Sequence, residues 1–282
     1  MATEPGTRIA DYRLGRLLGR GSHGAVHLAE HEGTGQAVAL KLVPLPLSLP
    51  SGDGLAVARQ QFLRQAATAQ GLKHAGIVTL HAAGVQGTMG WLAMELVPGS
   101  DLQRYTAPAR LLPEAVVLRI GARLAEALAH AHALGVVHRD IKPANVLVDW
   151  PGDIVKLADF GLARAADAQA TRTGRWLGSP GYMAPEQLAG AVPDARSDFY
   201  ALGVTLFQLL SSRLPFEADT LGALLQQVAT SAAPDLRQLH PRLPAHVAKL
   251  VARLLSRQPD RRADTAAALA QELHAAMRAL AP

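Results

Sequence analysis

No cysteine occurs among the 282 residues, which removes at once a disulfide scaffold, a cysteine-ligated zinc or iron–sulfur centre and a thiol nucleophile. Aromatic side chains are sparse, with 5 Phe, 4 Tyr and 3 Trp. The 28 basic and 23 acidic groups leave a net charge of only +5, divided +3 before Glu95 and +2 from Glu95 onward. With neither a basic stripe nor aromatics to stack on bases, no nucleic-acid partner is expected. No uninterrupted apolar run reaches about eighteen residues, so no membrane segment is expected in this chain. The first residues carry Glu4, Arg8 and Asp11 where a secretory signal needs an apolar stretch. What the chain does have is apolar content, 49% hydrophobic against 18% charged, too much of one and too little of the other for a disordered polymer. Its length suits one large domain or two lobes around a cleft.

The pattern changes character along the chain. Between Tyr12 and Lys41, short β-like segments at 14–18, 25–30 and 37–43 are punctuated by glycine and predict three antiparallel strands. Pro44, Pro46, Pro50, Gly52 and Gly54 then break any regular element. A helix is predicted from Ala56 to about Gly71, because Phe62, Ala66 and Ala69 fall on one face beside polar Arg59, Gln60 and Arg64. Further strands are predicted at 78–80 and 91–96. Beyond Pro98 the pattern is helical. Val116, Ile120, Leu124, Ala127 and Ala131 repeat at helical spacing until Gly135. Two short strands, 146–148 and 155–157, flank the turn Trp150-Pro151-Gly152-Asp153. Helices follow at 197–210, 221–230, 247–255 and 265–280. The fold class read from this order is α+β, a small, mostly antiparallel β lobe with one main helix followed by a larger, mostly α lobe.

Two strings carry chemistry. Gly19-Arg20-Gly21-Ser22-His23-Gly24-Ala25-Val26 is a glycine-rich turn, and glycine lets backbone N–H groups approach a phosphate. A dinucleotide-binding turn would open a helix, whereas Val26-His27-Leu28-Ala29 continues as a strand. The second string is His138-Arg139-Asp140-Ile141-Lys142-Pro143-Ala144-Asn145, followed after a strand pair by Asp159-Phe160-Gly161. Together with Lys41, Ala184-Pro185-Glu186, Asp198 and Arg262 in this order, the sequence resembles the eukaryotic-like serine/threonine protein kinases of bacteria. The resemblance covers residues 11–278. It implies an N-terminal extension at 1–10, a small lobe at about 11–95, a hinge at about 95–99 and a large lobe at about 100–278.

The resemblance implies ATP and Mg²⁺ (or Mn²⁺) as cofactors and protein hydroxyls as acceptors. Asp159 and Asn145 would hold the metal, Asp140 would accept the proton of the attacking hydroxyl, and Lys142 would sit over the γ-phosphate. Lys41 would hold the other phosphates under Gly19, Gly21 and Gly24. Leu18, Val26, Ala39, Met94 and Leu147 would sandwich the adenine, and the Glu95 carbonyl and Val97 backbone would meet its edge. Lys142 together with Ser179-Pro180-Gly181-Tyr182 resembles kinases of serine and threonine rather than tyrosine. Arg139 before Asp140 implies control by a phosphate on the segment from Asp159 to Glu186, where Thr171 and Thr173 are the candidates for autophosphorylation. Phe160, Glu186, Asp198 and Arg262 would be structural, with Glu186 and Arg262 forming an ion pair. Similar kinases also form homodimers through the small lobe and act in the cytoplasm, alone or as the cytoplasmic portion of a longer membrane receptor.

One departure stands out. The lysine of the third strand normally pairs with a glutamate on the following helix, and here that place falls to Gln65. Residues 54–94 contain no Asp or Glu at all. A glutamine carbonyl could still accept a hydrogen bond from Lys41, but charge-assisted bonds are about twice as strong. The expectation is an active kinase that is slow or conditionally activated, and the alternative is a nucleotide-binding pseudokinase acting as a scaffold.

Overall fold

A computed structural model describes residues 4–21, 24–45, 54–160 and 180–280. They divide into two compact units, one ending at Pro98 and the other beginning at Gly99.

The first unit is a six-stranded antiparallel sheet with one helix. Its strands are β1 (Arg8–Ile9), β2 (Tyr12–Gly21), β3 (Gly24–His31), β4 (Ala37–Pro44), β5 (Leu80–Gln86) and β6 (Met89–Met94), in the spatial order β1-β2-β3-β4-β6-β5. Helix α1 (Gly54–Gln70) lies between β4 and β5 in sequence. The period-two alternation of β4 explains the layering. Val38, Leu40 and Leu42 point to one side, where they pack with Ile9, Tyr12, Leu14 and Ala93. Ala39 points to the other, where it meets Leu92, Met94 and the Ala58, Phe62 and Ala66 face of α1. Gly90 makes this docking possible, since a Cβ there would lie 2.7 Å from the Phe62 ring.

Residues 8 and 9 belong to the sheet. β1 pairs with β2, and Ile9 is buried in the sheet core. The strand predicted at 78–80 begins only at Leu80 and runs on to Gln86, and its partner ends at Met94 rather than Leu96. The physical reason lies in Thr79 and Glu95. Glu95 N–H donates to the Thr79 carbonyl, and Thr79 N–H donates to Glu95 Oε2, so a side chain takes over where the ladder would continue.

The second unit is mostly helical. A small sheet of β7 (Ser100–Asp101), β8 (Val146–Asp149) and β9 (Ile154–Leu157) sits beside α2 (Glu114–Ala133), α3 (Pro185–Leu188), α4 (Ala195–Ser211), α5 (Leu221–Thr230), α6 (Leu236–Leu239), α7 (Ala245–Leu254) and α8 (Ala266–Arg278). Helix α4 is buried on nearly every side, which identifies it as the central post of the unit. Its N-terminus is capped by Asp194, whose side chain accepts from Arg196 N–H. Two glycines set the packing distances. A Cβ on Gly121 would press on Leu206, and one on Gly203 would meet the Leu254 Cβ at 2.7 Å. Strand β7 escaped the sequence reading because two residues carry no periodicity; it exists through its pairing with Leu147 and Val148. Among the described residues no helix is long and apolar enough to cross a membrane.

Candidate active site

The loop between α2 and β8 is fixed from beneath by one carboxylate. Asp198 is fully buried in the first turn of α4. Its Oδ2 accepts the His138 backbone N–H at 2.9 Å and its Oδ1 accepts the Arg139 N–H at 2.8 Å. His132 Nε2 meets Oδ2 at 2.8 Å. This anchoring holds Arg139 at φ +73°, a left-handed conformation that costs a non-glycine residue about 1 kcal/mol or more. Asp159 is held at φ +66° in the same region of backbone space. Two left-handed non-glycine residues flank the chemistry-bearing segment.

His138 ties the two ends of that segment together. Its Nδ1 accepts the Asp140 N–H at 3.2 Å, so Nε2 carries the proton and donates to the Ala158 carbonyl at 2.8 Å. Its ring also packs edge-on against Phe160 with centroids 4.5 Å apart. Ala158 N–H in turn donates to the Asn145 carbonyl. Asp140 thereby faces Lys142 and Asn145 with little freedom. Lys142 Nζ donates to both carboxylate oxygens of Asp140, at 2.9 and 2.7 Å. Asn145 Nδ2 donates to Asp140 Oδ2 at 2.9 Å and to its backbone carbonyl at 2.7 Å. Pro143 at the first position of a 3₁₀ turn, Pro143–Asn145, brings Asn145 round to make these bonds.

A second cluster supports the segment after residue 180. Arg262, whose side chain is inaccessible to solvent, binds Glu186 in a two-pronged pair at 2.7 and 2.9 Å. It also donates to the carbonyls of Ser256 and Arg196, and its guanidinium lies 5.0 Å from the Tyr200 ring centre. Burial pushes the Glu186 carboxyl up, but Arg262, a backbone N–H and the Ser197 hydroxyl together hold it below the ordinary glutamate range. Tyr182 donates its hydroxyl to Gln208 Oε1, and burial pushes its pKa up to about 12, so it stays neutral.

In the first unit, strand pairing brings the remaining candidates together in part. Gly19 lies opposite Val26, Val26 opposite Lys41, and Ala39 opposite Met94. Lys41 is buried, on the α1 side of β4 by alternation. Gly24 is at φ +132°, and a Cβ there would strike the Leu42 carbonyl oxygen at 1.9 Å, whereas at Gly19 and Gly21 it would meet nothing within 4 Å. Leu18 is exposed on β2, and Val97 is half-buried beyond β6. Leu147 belongs to the second unit, on β8. Gln65 Oε1, which could accept a hydrogen bond from Lys41, is buried and, among the described residues, accepts none. Thr171, Thr173 and Ser179 lie outside the described residues.

The sequence assigns no role to His132, His138 or Ser197. His138 and Ser197 each adjoin a residue that the motifs do single out, Arg139 and Asp198. His132 precedes His138 by six positions across the end of α2, and Ser197 adjoins Asp198 and donates to Glu186 Oε1. That adjacency was the only available signal.

The family model described as "Protein kinase domain" matches residues 12–274. The chain is 38% identical over 279 residues to the DNA damage-responsive serine/threonine-protein kinase RqkA of Deinococcus radiodurans, covering 96% of this chain and 40% of that protein. It is 34% identical over 264 residues to the serine/threonine-protein kinase PrkC of Bacillus subtilis, covering 93% and 40%. The serine/threonine-protein kinase PknJ of Mycobacterium tuberculosis matches at 38% over 282 residues, covering 98% and 46%. The chain thus spans less than half the length of these curated relatives. A glycine-rich β2–β3 turn, a buried lysine on β4 and an Asp140-Lys142-Asn145 cluster held by a buried carboxylate accompany a family match over nearly the whole chain, which belongs to the protein kinase domain family.

Proposed function

We propose that this chain transfers the γ-phosphoryl group of ATP to serine and threonine hydroxyls of proteins. The observation that carries this reading is the Asp140 carboxylate, oriented by Lys142 Nζ and Asn145 Nδ2 on a loop whose backbone is tied to Asp198. Phosphoryl transfer needs positioning and electrostatic stabilisation more than covalent help. The acceptor oxygen attacks the γ-phosphorus, its proton passes to an Asp140 carboxylate oxygen, and the bond to the ADP oxygen breaks. Lys142, already against Asp140, places a positive charge where the transferring group gathers negative charge. Lys41 does the same for the other phosphates, and Gly19 and Gly21 leave the backbone open to them.

The donor set fits a hard divalent cation. Asn145 uses Nδ2 on Asp140, which leaves its side-chain carbonyl oxygen as a ligand, and Asp159 offers a carboxylate. Among the described residues no group of three or more His, Asp or Glu side chains forms a metal site by itself. An amide oxygen and a carboxylate suit Mg²⁺, which takes oxygen ligands, few of them from protein, and is completed by substrate phosphates. When bound, it neutralises charge on those phosphates. Leu18, Val26, Ala39, Met94 and Leu147 would enclose the adenine, with the backbone at Glu95 and Val97 along its edge. The relatives' names specify serine and threonine as their acceptors, and the same acceptors are assigned here. Under this reading Thr171 and Thr173 are the autophosphorylation sites, and the chain works in the cytoplasm, alone or as the cytoplasmic portion of a longer membrane receptor.

The test is incubation of the purified chain with Mg²⁺ and ATP beside Asp140→Asn, followed by intact mass and peptide mapping of residues 165–186. Added phosphate in wild type only, at Thr171 or Thr173, is expected. Nucleotide binding with no added phosphate in either protein would replace catalysis with a scaffold role.

A further inference from the structure

The second unit contains a cavity of about 790 Å³ that the catalytic reading does not use. It lies where the end of α5, the segment after it, the end of α7 and the following turn meet, and its lining includes Arg253, Arg257 and Arg261 with Ser231 and Ser256. No acidic residue lines it. Three guanidinium groups around one cavity repel each other, so a structure that keeps them together needs compensation from elsewhere.

The compensation within the protein is incomplete. Arg253 pairs with Glu272 through one terminal nitrogen, but its Nε–H is buried and, among the described residues, reaches no acceptor. Arg257 donates one N–H to the Ala229 carbonyl at 2.8 Å, fastening it to the last turn of α5, and has no carboxylate partner among the described residues. Arg261 is exposed and donates its backbone N–H to the Gln258 carbonyl, and its side chain pairs with no carboxylate among the described residues. All three arginines line one concave site, with Ser231 and Ser256 beside them. Arginine forks match the geometry of phosphate oxygens, and a dianionic phosphate accepts several such bonds at once.

We propose that this cavity binds a phosphorylated serine or threonine side chain of a polypeptide. The assignment to phosphoserine or phosphothreonine, rather than to a free anion, rests on the proposed function, because those are the groups the enzyme itself would create. A protein already carrying one phosphate would then dock through it on the second unit, away from Asp140, and present further hydroxyls for transfer. Arg-lined pockets of this composition read phosphate on peptides in other recognition modules.

The test uses a short fluorescein-labelled peptide with one phosphothreonine, its unphosphorylated twin, and inorganic phosphate as competitor. Binding is read by fluorescence anisotropy without ATP, so a chain that transfers nothing still reports on the cavity. Wild type should bind the phosphopeptide at least about tenfold more tightly than the twin, a difference of about 1.4 kcal/mol. Arg261→Glu should remove most of that preference, and Arg261→Lys should keep part of it. Arg261 is exposed and its backbone bond to the Gln258 carbonyl does not depend on the side chain, so both variants should melt as wild type does and retain transfer to an unphosphorylated peptide. Equal binding of the two peptides would overturn the proposal. So would a preference that survives Arg261→Glu, since the phosphate would then sit elsewhere, or displacement by inorganic phosphate at the concentration of the phosphopeptide, since the site would then be one for free anion.

Discussion

Gln65 keeps a buried carbonyl oxygen that accepts nothing among the described residues, at the place where the family pattern has glutamate. An orphaned acceptor of this kind costs about 1–3 kcal/mol. A carboxylate at the same position would gain the charge-assisted bond from Lys41 that the amide does not receive. Gln65→Glu is therefore expected to raise kcat several-fold, up to about tenfold if positioning of Lys41 improves by about 1.4 kcal/mol. Steady-state transfer to a peptide decides it, and a kcat at or below that of wild type would show that Gln65 does not limit the reaction. The opposite electrostatic case is Glu186, a carboxylate whose affinity for protons folding lowers through Arg262 and Ser197 despite its burial. Its contribution to stability is fully present above the unfolded value, about 4.3, and is lost as the pH falls through the lower folded value. The melting temperature of wild type should exceed that of Glu186→Gln at neutral pH, and the gap should close below about pH 4. A gap that stays constant through the acid range would mean that Glu186 draws nothing from its ionised form.

At the level of elements, the glycines of the β2–β3 hairpin separate folding from function. Gly24 serves the fold, because its φ of +132° and the Leu42 carbonyl leave no room for a Cβ. Gly21 has open space where a Cβ would go, so the fold does not demand glycine there. Gly24→Ala should lower stability by more than about 1 kcal/mol, while Gly21→Ala should leave it within about 0.5 kcal/mol and instead raise KM for ATP. Thermal melts and ATP titrations of the two variants check this, and comparable loss of stability in both would remove the distinction. The elements themselves were legible to differing degrees. Helix α2 and its stop at Gly135 followed from a long run at one period, and Gly135 does adopt φ +72°. The β5–β6 hairpin was half missed because His81, Ala82, Ala83 and Gly84 are poor strand formers. What makes them a strand is pairing with β6, where a Cβ on Gly84 would lie 2.5 Å from the Trp91 ring. Likewise Asp140, Lys142 and Asn145 could be named from their string, but not the His138 bridge that holds them, since its partner Ala158 is twenty residues away and bonds through backbone.

For the molecule as a whole, nucleotide binding is linked to stability. A ligand that binds only the folded chain stabilises it by about 2.7 kcal/mol at a hundred times its Kd, and each kcal/mol raises Tm by about 2–4 °C at this size. The proposed function divides that shift between residues. Asp140 is proposed to serve the acceptor hydroxyl, and an asparagine there can still accept from Lys142, so Asp140→Asn should abolish transfer and keep the Tm shift with ATP and Mg²⁺. Asp159→Asn removes the carboxylate assigned to the cation and should lose the part of the shift that depends on Mg²⁺, while the smaller shift with ATP alone persists. A full Mg²⁺-dependent shift in Asp159→Asn would move the cation to other ligands and leave the left-handed backbone at Asp159 without a chemical reason. The same melts carry a control for charge: the net +5 of the chain attracts any polyanion. Tripolyphosphate brings the phosphates but lacks the adenine that Ala39, Met94 and Leu147 are proposed to enclose, so it should give a smaller shift than ATP both with and without Mg²⁺.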